Sequence, residues 1–416
     1  MTTLARRLGV RDAIVIGLGS MLGAGVFVVF APATAAAGGV GMLIALGLAG
    51  LVAFCNATSS ARLAARYPES GGTYVYGRER LGAFAGFVAG WGFVTGKTAS
   101  CAAMALTIGA YLWPDRARLV AVAAVAAVTA VNLGGVEKTA RVTRWLVTLT
   151  LAVLGTVAVV GIAAGPAGWS SFGVASGGVR GVLTAAGLLF FAFAGYARIA
   201  TLGEEVRDPA HTIPRAIPAA LGLVLAAYLL LAVVSLGVLG PFRLAAASAP
   251  LAEVVDAAGL PGLAWVVRVG AAVAVTGVLL ALVAGVGRTA LAMARRRDLP
   301  AALDAVHPRQ RVPHRAELAV AALVVALVAL GDIRDAIGFS SCTVLVYYAV
   351  ANASALTLGR EPGRRLPVQA IAVVGLVGCV VLAVSLPVSS VLAGFGVLGL
   401  GALFFAARRR LGRSAR

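Results

Sequence analysis

Lysine is what this sequence has least of. Of 35 basic residues only two are lysine, Lys97 and Lys138; the others are arginine. Charge as a whole is scarce. Asp, Glu, Lys and Arg make up 12% of the chain, against about a quarter in a soluble domain. Histidine occurs three times and cysteine four times. Cys55, Cys101, Cys342 and Cys379 all stand in apolar runs, and no CxxC or Cys/His cluster exists. That argues against a disulfide framework and against a metal site. A Walker phosphate loop is also missing, so direct drive by ATP is not expected. The clustered His, Asp, Glu or Cys of a membrane enzyme are lacking too, and no cofactor is implied.

What is there is apolar. The chain is 416 residues long and 60% hydrophobic. The apolar residues come in repeated blocks of roughly 20, the length at which a helix crosses a bilayer. A transmembrane β-barrel would show short alternating segments instead. The pattern predicts an all-α integral membrane protein with twelve transmembrane helices, over 13–31, 39–61, 83–112, 118–135, 142–164, 181–202, 216–239, 264–287, 317–331, 336–358, 367–385 and 388–407. The longest loops, 288–316 and 240–263, are too short for a core of their own, so residues 1–416 read as one polytopic domain. Within 240–263, LAEVVDAAG has the pattern of a short amphipathic helix.

The net charge of +19 would point to nucleic acid in a soluble protein. Here its distribution decides otherwise. Loops on one side hold five basic residues: Arg116, Arg118, Arg180, Arg243 and Arg334. Lys97, Arg198 and Arg268 lie within spans, and the remaining 27 gather at the termini and on the other side. By the positive-inside rule both termini are cytoplasmic, and the charge reports orientation, not nucleic-acid binding. The basic N-terminus leads into a long Gly-rich run without a clear cleavage site, which reads as a first retained span and not a signal peptide. The Ala, Arg, Gly and Val bias suggests a GC-rich genome, hence a bacterial inner membrane.

Two spans are broken. The first reads IVIGLGSMLGAGVFVVF, with glycines at 17, 19, 23 and 25 and a serine at 20. The sixth reads LLFFAFAGYARIATLGEEVRDP, with Gly195 in mid-span and Tyr196 and Arg198 just after it. Broken spans at corresponding places in two halves point to the central site of a transporter. An unwound turn frees backbone N–H and C=O groups that lipid cannot satisfy. Freed N–H groups can bind a carboxylate and freed carbonyls an amine, and an α-amino acid carries both. The plainer alternative is that the glycines only let helices approach, and Gly19 and Gly23 do have GxxxG spacing.

At these residues the chain resembles the amino acid–polyamine–organocation superfamily of permeases. GSMLGAGVF resembles their first-helix motif, and FFAFAGYARIATLGEEVRDPAHTIPRAI their sixth helix and the loop after it. VNLGGVEKTARV resembles the turn between helices four and five, and GRTALAMARRRDLPAALDAVHPRQRVP the loop between eight and nine. The resemblance implies a LeuT-like 5+5 inverted repeat with broken helices 1 and 6, of which 13–164 is the first repeat, 181–358 the second and 367–407 two extra C-terminal helices. It implies alternating-access transport of amino acids or related amines. It places the substrate carboxylate on Ser20, Met21, Gly23, Ala24 and Gly25, and the amine by the carbonyls around Phe190, Phe191 and Phe193, beside Gly195. Phe191 matches an aromatic lid; ordinary helix packing is the other reading for all three phenylalanines. Two charges of some relatives are missing: Ala197 stands where many have glutamate, and Thr150 where some proton-coupled ones have lysine.

Lys97 is then the unusual residue. It lies in the middle of span 3, too deep for its ammonium to reach water along the helix. Such a charge costs several kcal/mol and usually faces a cavity or a partner. Arginine would stay charged there, whereas a lysine can cycle between charged and neutral forms. Lys97 is therefore the candidate for proton coupling; a substrate contact or a lysine bonded to helix carbonyls are the alternatives. Arg268 can snorkel to the outer surface. Arg198, with Glu204 and Glu205, reads as an inner gate or ion pair.

No acidic residue sits in mid-span, which favours a small neutral amino acid as substrate. The expected partners are that small molecule, a proton as coupling ion and membrane lipid. An exchanger, a polyamine or cationic amino acid permease, and a sensor on the same scaffold remain the alternative readings.

Overall fold

A computed structural model of the chain describes residues 9–23, 25–67, 71–135, 140–165, 172–173, 176–196, 206, 208–358 and 367–414. Among them every long element is a helix. Span 1 consists of α1 (Val10–Met21), a 3-10 turn at Gly25–Phe27 and α2 (Phe30–Ala37). Then come α3 (Gly39–Arg66), the short α4 (Thr73–Leu81), α5 (Ala83–Leu112), α6 (Ala117–Leu133) and α7 (Ala140–Ala164). In the second half α8 (Gly178–Phe193) ends in a 3-10 turn at Ala194–Tyr196. It is followed by α9 (Pro209–Ala246), α10 (Pro250–Ala257), α11 (Pro261–Arg295), α12 (His314–Leu330) and α13 (Ile333–Leu356). Two further helices, α14 (Pro367–Ser385) and α15 (Val388–Ser414), complete the chain.

Ten helices among the described residues are long and apolar enough to cross a membrane. The expected spans at 83–112 and 317–331 form α5 and α12 but are not among those ten. In α5 the glycines, hydroxyl residues and Lys97 dilute the apolar content, and α12 has 17 residues. Helix ends depart from the sequence boundaries where hydropathy stops before hydrogen bonding does. Helix α11 runs on past residue 287 to Arg295, and α9 starts at Pro209, whose missing N–H costs nothing in a first turn. Gly240, at φ 68°, bends α9 just before Pro241. Helix α10 forms where LAEVVDAAG was read as amphipathic, and Glu253 caps its start by accepting from the N–H groups of Ser248 and Ala249, each at 3.0 Å.

The packing has a regular pattern. Helix α3 lies against α8 as α9 lies against α1. Helix α5 lies against α13 as α11 lies against α7, and α1 touches α7 as α8 touches α13. Helix α5 is the central post, flanked by both α11 and α13. Small residues permit this closeness: a Cβ on Gly90 would meet Tyr74 and Met293 at 2.7 and 2.8 Å, and one on Gly92 would meet Leu398 at 3.2 Å.

Candidate functional site

The two interrupted helices meet. α1 stops at Met21 and the chain turns through Leu22 and Gly23 before resuming at Gly25. α8 stops at Phe193 and tightens through Ala194, Gly195 and Tyr196. Gly195 lies on the backbone of Ser20 and Met21, so closely that a Cβ there would be 2.5 Å from the Ser20 carbonyl carbon and 2.9 Å from the Met21 nitrogen. Gly25 lies on Ala192 in the same way, a Cβ there coming 3.1 Å from the Ala192 nitrogen and closer still to its Cα. Each break is thus the docking surface of the other, and only a residue without a side chain fits at either contact.

The backbone groups released by the breaks are partly satisfied by three tyrosines from the surrounding helices. The Tyr228 hydroxyl on α9 lies 2.7 Å from the Met21 carbonyl and 3.1 Å from that of Ala192, bridging both breaks. Tyr111 on α5 donates to the Phe27 carbonyl at 2.8 Å, and Tyr348 on α13 to that of Ala194 at 3.3 Å. All three tyrosines are buried. The donors fare differently. Among the described residues, the backbone N–H groups of Gly23 and Gly25 make no hydrogen bond. Carbonyls are capped by protein while N–H groups are left open, an arrangement suited to an anion.

The residues singled out from the sequence divide by environment. The Ser20 hydroxyl donates back to the Ile16 carbonyl at 2.9 Å, and Met21 is buried. The ring of Phe190 packs edge-on to Tyr348 at 5.7 Å, and that of Phe193 to Tyr228 at 5.2 Å. Phe191 differs: it is 8% exposed against 0% for the other two, and among the described residues no ring pairs with it. Ala24, Arg198, Glu204 and Glu205 lie outside the described residues. Thr150, at the position where the lysine of some relatives was expected, returns its hydroxyl to the Leu146 carbonyl at 2.8 Å.

Lys97 is buried on α5 with no ion-pair or hydrogen-bond partner among the described residues. Helices α5 and α13 run antiparallel, with Ser100 bonded to Ser340 at 2.6 Å, Gly96 against Thr343, and the ring of Phe93 tilted against that of Tyr347 at 5.2 Å. Lys97 therefore stands about five residues, roughly 7.5 Å or one and a half turns, from the level at which Tyr348 caps the break in α8. The hydroxyl groups nearest it along α5 are engaged within the helix. Thr95 and Thr98 give their hydroxyl protons to Trp91 and Val94 of the same helix, at 2.8 and 2.7 Å. Arg268 reaches the Tyr111 carbonyl at 3.4 Å, at the end of α5.

Sequence reasoning missed the tyrosines. Their signal was present, since each is a lone hydroxyl-bearing aromatic, or half of a pair, inside an apolar run: IGAYL, LAAYLL and VLVYYAV. What the runs do not reveal is which backbone carbonyl each will meet. A second missed group ties α4 to the loop after α11. Asp298 receives Arg78 at 2.7 Å and the Tyr74 hydroxyl at 2.6 Å. Burial, and then the bond to Asp298, raise the Tyr74 phenol above its usual range and keep it protonated.

Comparison with known proteins agrees with this architecture. The profile of the family described as amino acid permease matches residues 8–408. An uncharacterized transporter of Mycobacterium tuberculosis is 62% identical over 414 residues, covering 99% of this chain and 93% of the relative. A branched-chain amino acid permease of Bacillus subtilis is 27% identical over 377 residues, covering 84% of this chain and 80% of the relative. The vacuolar cationic amino acid transporter 4 of Arabidopsis thaliana is 26% identical, covering 88% of this chain and 65% of the relative.

Proposed function

The chain belongs to the amino acid permease family, and from that premise we propose that it imports a small neutral amino acid across the cytoplasmic membrane by proton-coupled alternating access. It is a membrane transporter and not an enzyme. In the proposed arrangement α5 and α12 join the ten long apolar helices as spans, making twelve, with both termini cytoplasmic. The first ten spans form two inverted repeats. The exchange of packing partners between the halves supports that reading: α3 on α8 answers α9 on α1, and α5 on α13 answers α11 on α7.

The observation that carries the proposal is the open pair of N–H groups at Gly23 and Gly25, set beside a second helix break and capped carbonyls. The substrate carboxylate binds there, along the turn from Ser20 through Ala24 to Gly25. The amine takes the free lone pairs of carbonyls in the α8 break, where Phe190 and Phe193 hold the wall and Phe191 closes over the substrate. Gly195 keeps the two breaks in register. Lys97 exchanges the coupling proton, since it is buried, unpaired among the described residues and about one and a half turns from the level of Tyr348 at the break. Arg198, Glu204 and Glu205 form the inner gate.

A neutral substrate is favoured because every Asp and Glu among the described residues lies in a loop or near a helix end, leaving none of these at mid-membrane as counter-ion for a second cationic group. The relative that carries the name branched-chain amino acid permease supports the same choice.

The test is uptake of labelled amino acids into proteoliposomes, with and without an inward proton gradient at matched membrane potential. Saturable uptake stimulated by the gradient is expected, with stimulation lost in Lys97→Arg because arginine keeps the charge but cannot release the proton. Proton-driven uptake that survives in Lys97→Arg overturns the coupling role. Uptake only into preloaded vesicles replaces symport with exchange.

A further inference from the structure

At one end of the bundle, well away from the helix breaks, four arginines line a single cleft. Arg78 comes from α4, Arg297 from the turn after α11, and Arg408 and Arg409 from α15. The cleft has a volume of about 150 Å³, several times the roughly 30 Å³ that one water occupies in the liquid. One carboxylate lines it, that of Asp298. Asp298 is already taken, by Arg78 at 2.7 Å and by Tyr74 at 2.6 Å. The other three guanidinium groups have no carboxylate bonded to them among the described residues. The cleft therefore carries a net positive charge that no carboxylate among the described residues neutralises.

The arginines are held in place. Arg409 sits over the ring of Phe405 at 4.9 Å and Arg408 over that of Phe404 at 5.8 Å. Phe405 in turn packs on Phe87 at 4.9 Å and Phe84 at 5.6 Å, which fastens the end of α15 to the start of α5. On the opposite wall Arg297 stands at φ 60°, a left-handed conformation that an arginine adopts only against a steric cost. The turn is held there by Asp298, whose N–H bonds to the Met293 carbonyl at 2.8 Å.

Beside the charge lies an apolar flank. Phe84, 51% exposed, packs on Phe405 of the cleft wall, and Phe404 in that wall is 36% exposed. Phe84 stands in the first turn of α5 and Phe404 one turn before Arg408 on α15. A soluble anion would need the arginines but would gain nothing from such a flank. A lipid needs both, because its headgroup meets the cations while its chains cover the two phenylalanines.

We propose that this cleft is a binding site for the phosphate headgroup of an anionic membrane lipid. Arg408, Arg409 and Arg297 ligate the phosphate, Arg78 is positioned by Asp298 at the back of the cleft, and the acyl chains lie along Phe84 and Phe404. By holding α4, α11 and α15 together, the lipid braces one end of the bundle. The site does not depend on which substrate is carried or on proton coupling.

The experiment uses the full-length protein in neutral detergent, titrated with phosphatidylglycerol, phosphatidylcholine or inorganic phosphate. Bound lipid is counted by native mass spectrometry, and stability is followed by thermal unfolding. Phosphatidylglycerol is expected to bind saturably and raise the unfolding temperature, while phosphatidylcholine does neither. Replacing Arg408 and Arg409 together by glutamine should raise the half-saturating concentration roughly tenfold or more. Arg297→Gln, which lies across the cleft and leaves the aromatic contacts of α15 intact, should shift it in the same direction. Replacing the exposed Arg309 and Arg311 removes equal charge elsewhere and should leave it unchanged. Equal losses in the Arg408/Arg409 and Arg309/Arg311 variants would reduce the effect to overall charge and overturn the site. Saturation by inorganic phosphate at the same concentration would overturn the lipid as its ligand. A chain that transports normally yet never retains phosphatidylglycerol would refute this proposal while leaving the transport reading intact.

Discussion

Gly195→Ala is the most direct probe of the paired helix breaks. The new methyl carbon would stand 2.5 Å from the Ser20 carbonyl carbon and 2.9 Å from the Met21 nitrogen, where ordinary contact begins at 3.4 Å. The obstacle is backbone and not the tip of a side chain, so no rotamer change relieves it. The two breaks must separate by roughly an ångström, and forcing one methyl into a packed contact costs about 1–3 kcal/mol. The larger consequence is geometric. The separation moves Gly23 and Gly25 against the α8 carbonyls, and a misplacement of that size in a binding or reacting geometry can cost about 100-fold. The assay is uptake in proteoliposomes with protein amounts matched, together with thermal unfolding in detergent. Gly155→Ala on α7 serves as the control, because nothing lies within 4 Å of a Cβ there and alanine favours a helix over glycine by up to about 1 kcal/mol. The expectation is a stable Gly155→Ala with normal uptake and a Gly195→Ala that has lost most of its uptake. Wild-type uptake and affinity in Gly195→Ala would refute the reasoning that close approach of the breaks builds the site.

Two other substitutions test the groups around the breaks. Tyr228→Phe keeps the ring contact with Phe193 but removes the proton shared by the Met21 and Ala192 carbonyls. One buried bond is lost and an acceptor is left without a donor, so unfolding in detergent should show a loss of about 1–3 kcal/mol, with weaker substrate binding; unchanged stability would mean that water replaces the hydroxyl. Asp298→Asn keeps the shape but removes the charge that holds Arg78, in a pair whose side chains are 27% and 9% exposed. It should destabilise the protein by about 1–3 kcal/mol, below the full value for a buried pair because Arg78 still reaches solvent, and a thermal unfolding curve that does not move would dismiss the clamp.

The helices were legible because their cause is local. A run such as LALVAGVGRTALAMA must bond its own backbone wherever it lies, so length and hydropathy identify a helix without reference to neighbours. The breaks were legible for the same reason, since glycine at 23, 25 and 195 weakens the chain's own helix whatever packs beside it. Ends were less legible: α11 runs to Arg295 because charged residues leave a membrane without ceasing to be helical.

Hydropathy and glycine placement were enough to read a helical membrane protein with two interrupted spans and one deep lysine. Only the tertiary structure decided what each residue meets. Nothing in IGAYL or LAAYLL states that Tyr111 will cap Phe27 or that Tyr228 will bridge Met21 and Ala192, residues 207 and 36 positions away. Nor does FFAARRR state that Arg408 and Arg409 will face Arg78 across a cleft. A helix follows from hydrogen bonds between residues four apart, whereas these contacts depend on how separate helices cross, which the packing of the whole bundle sets.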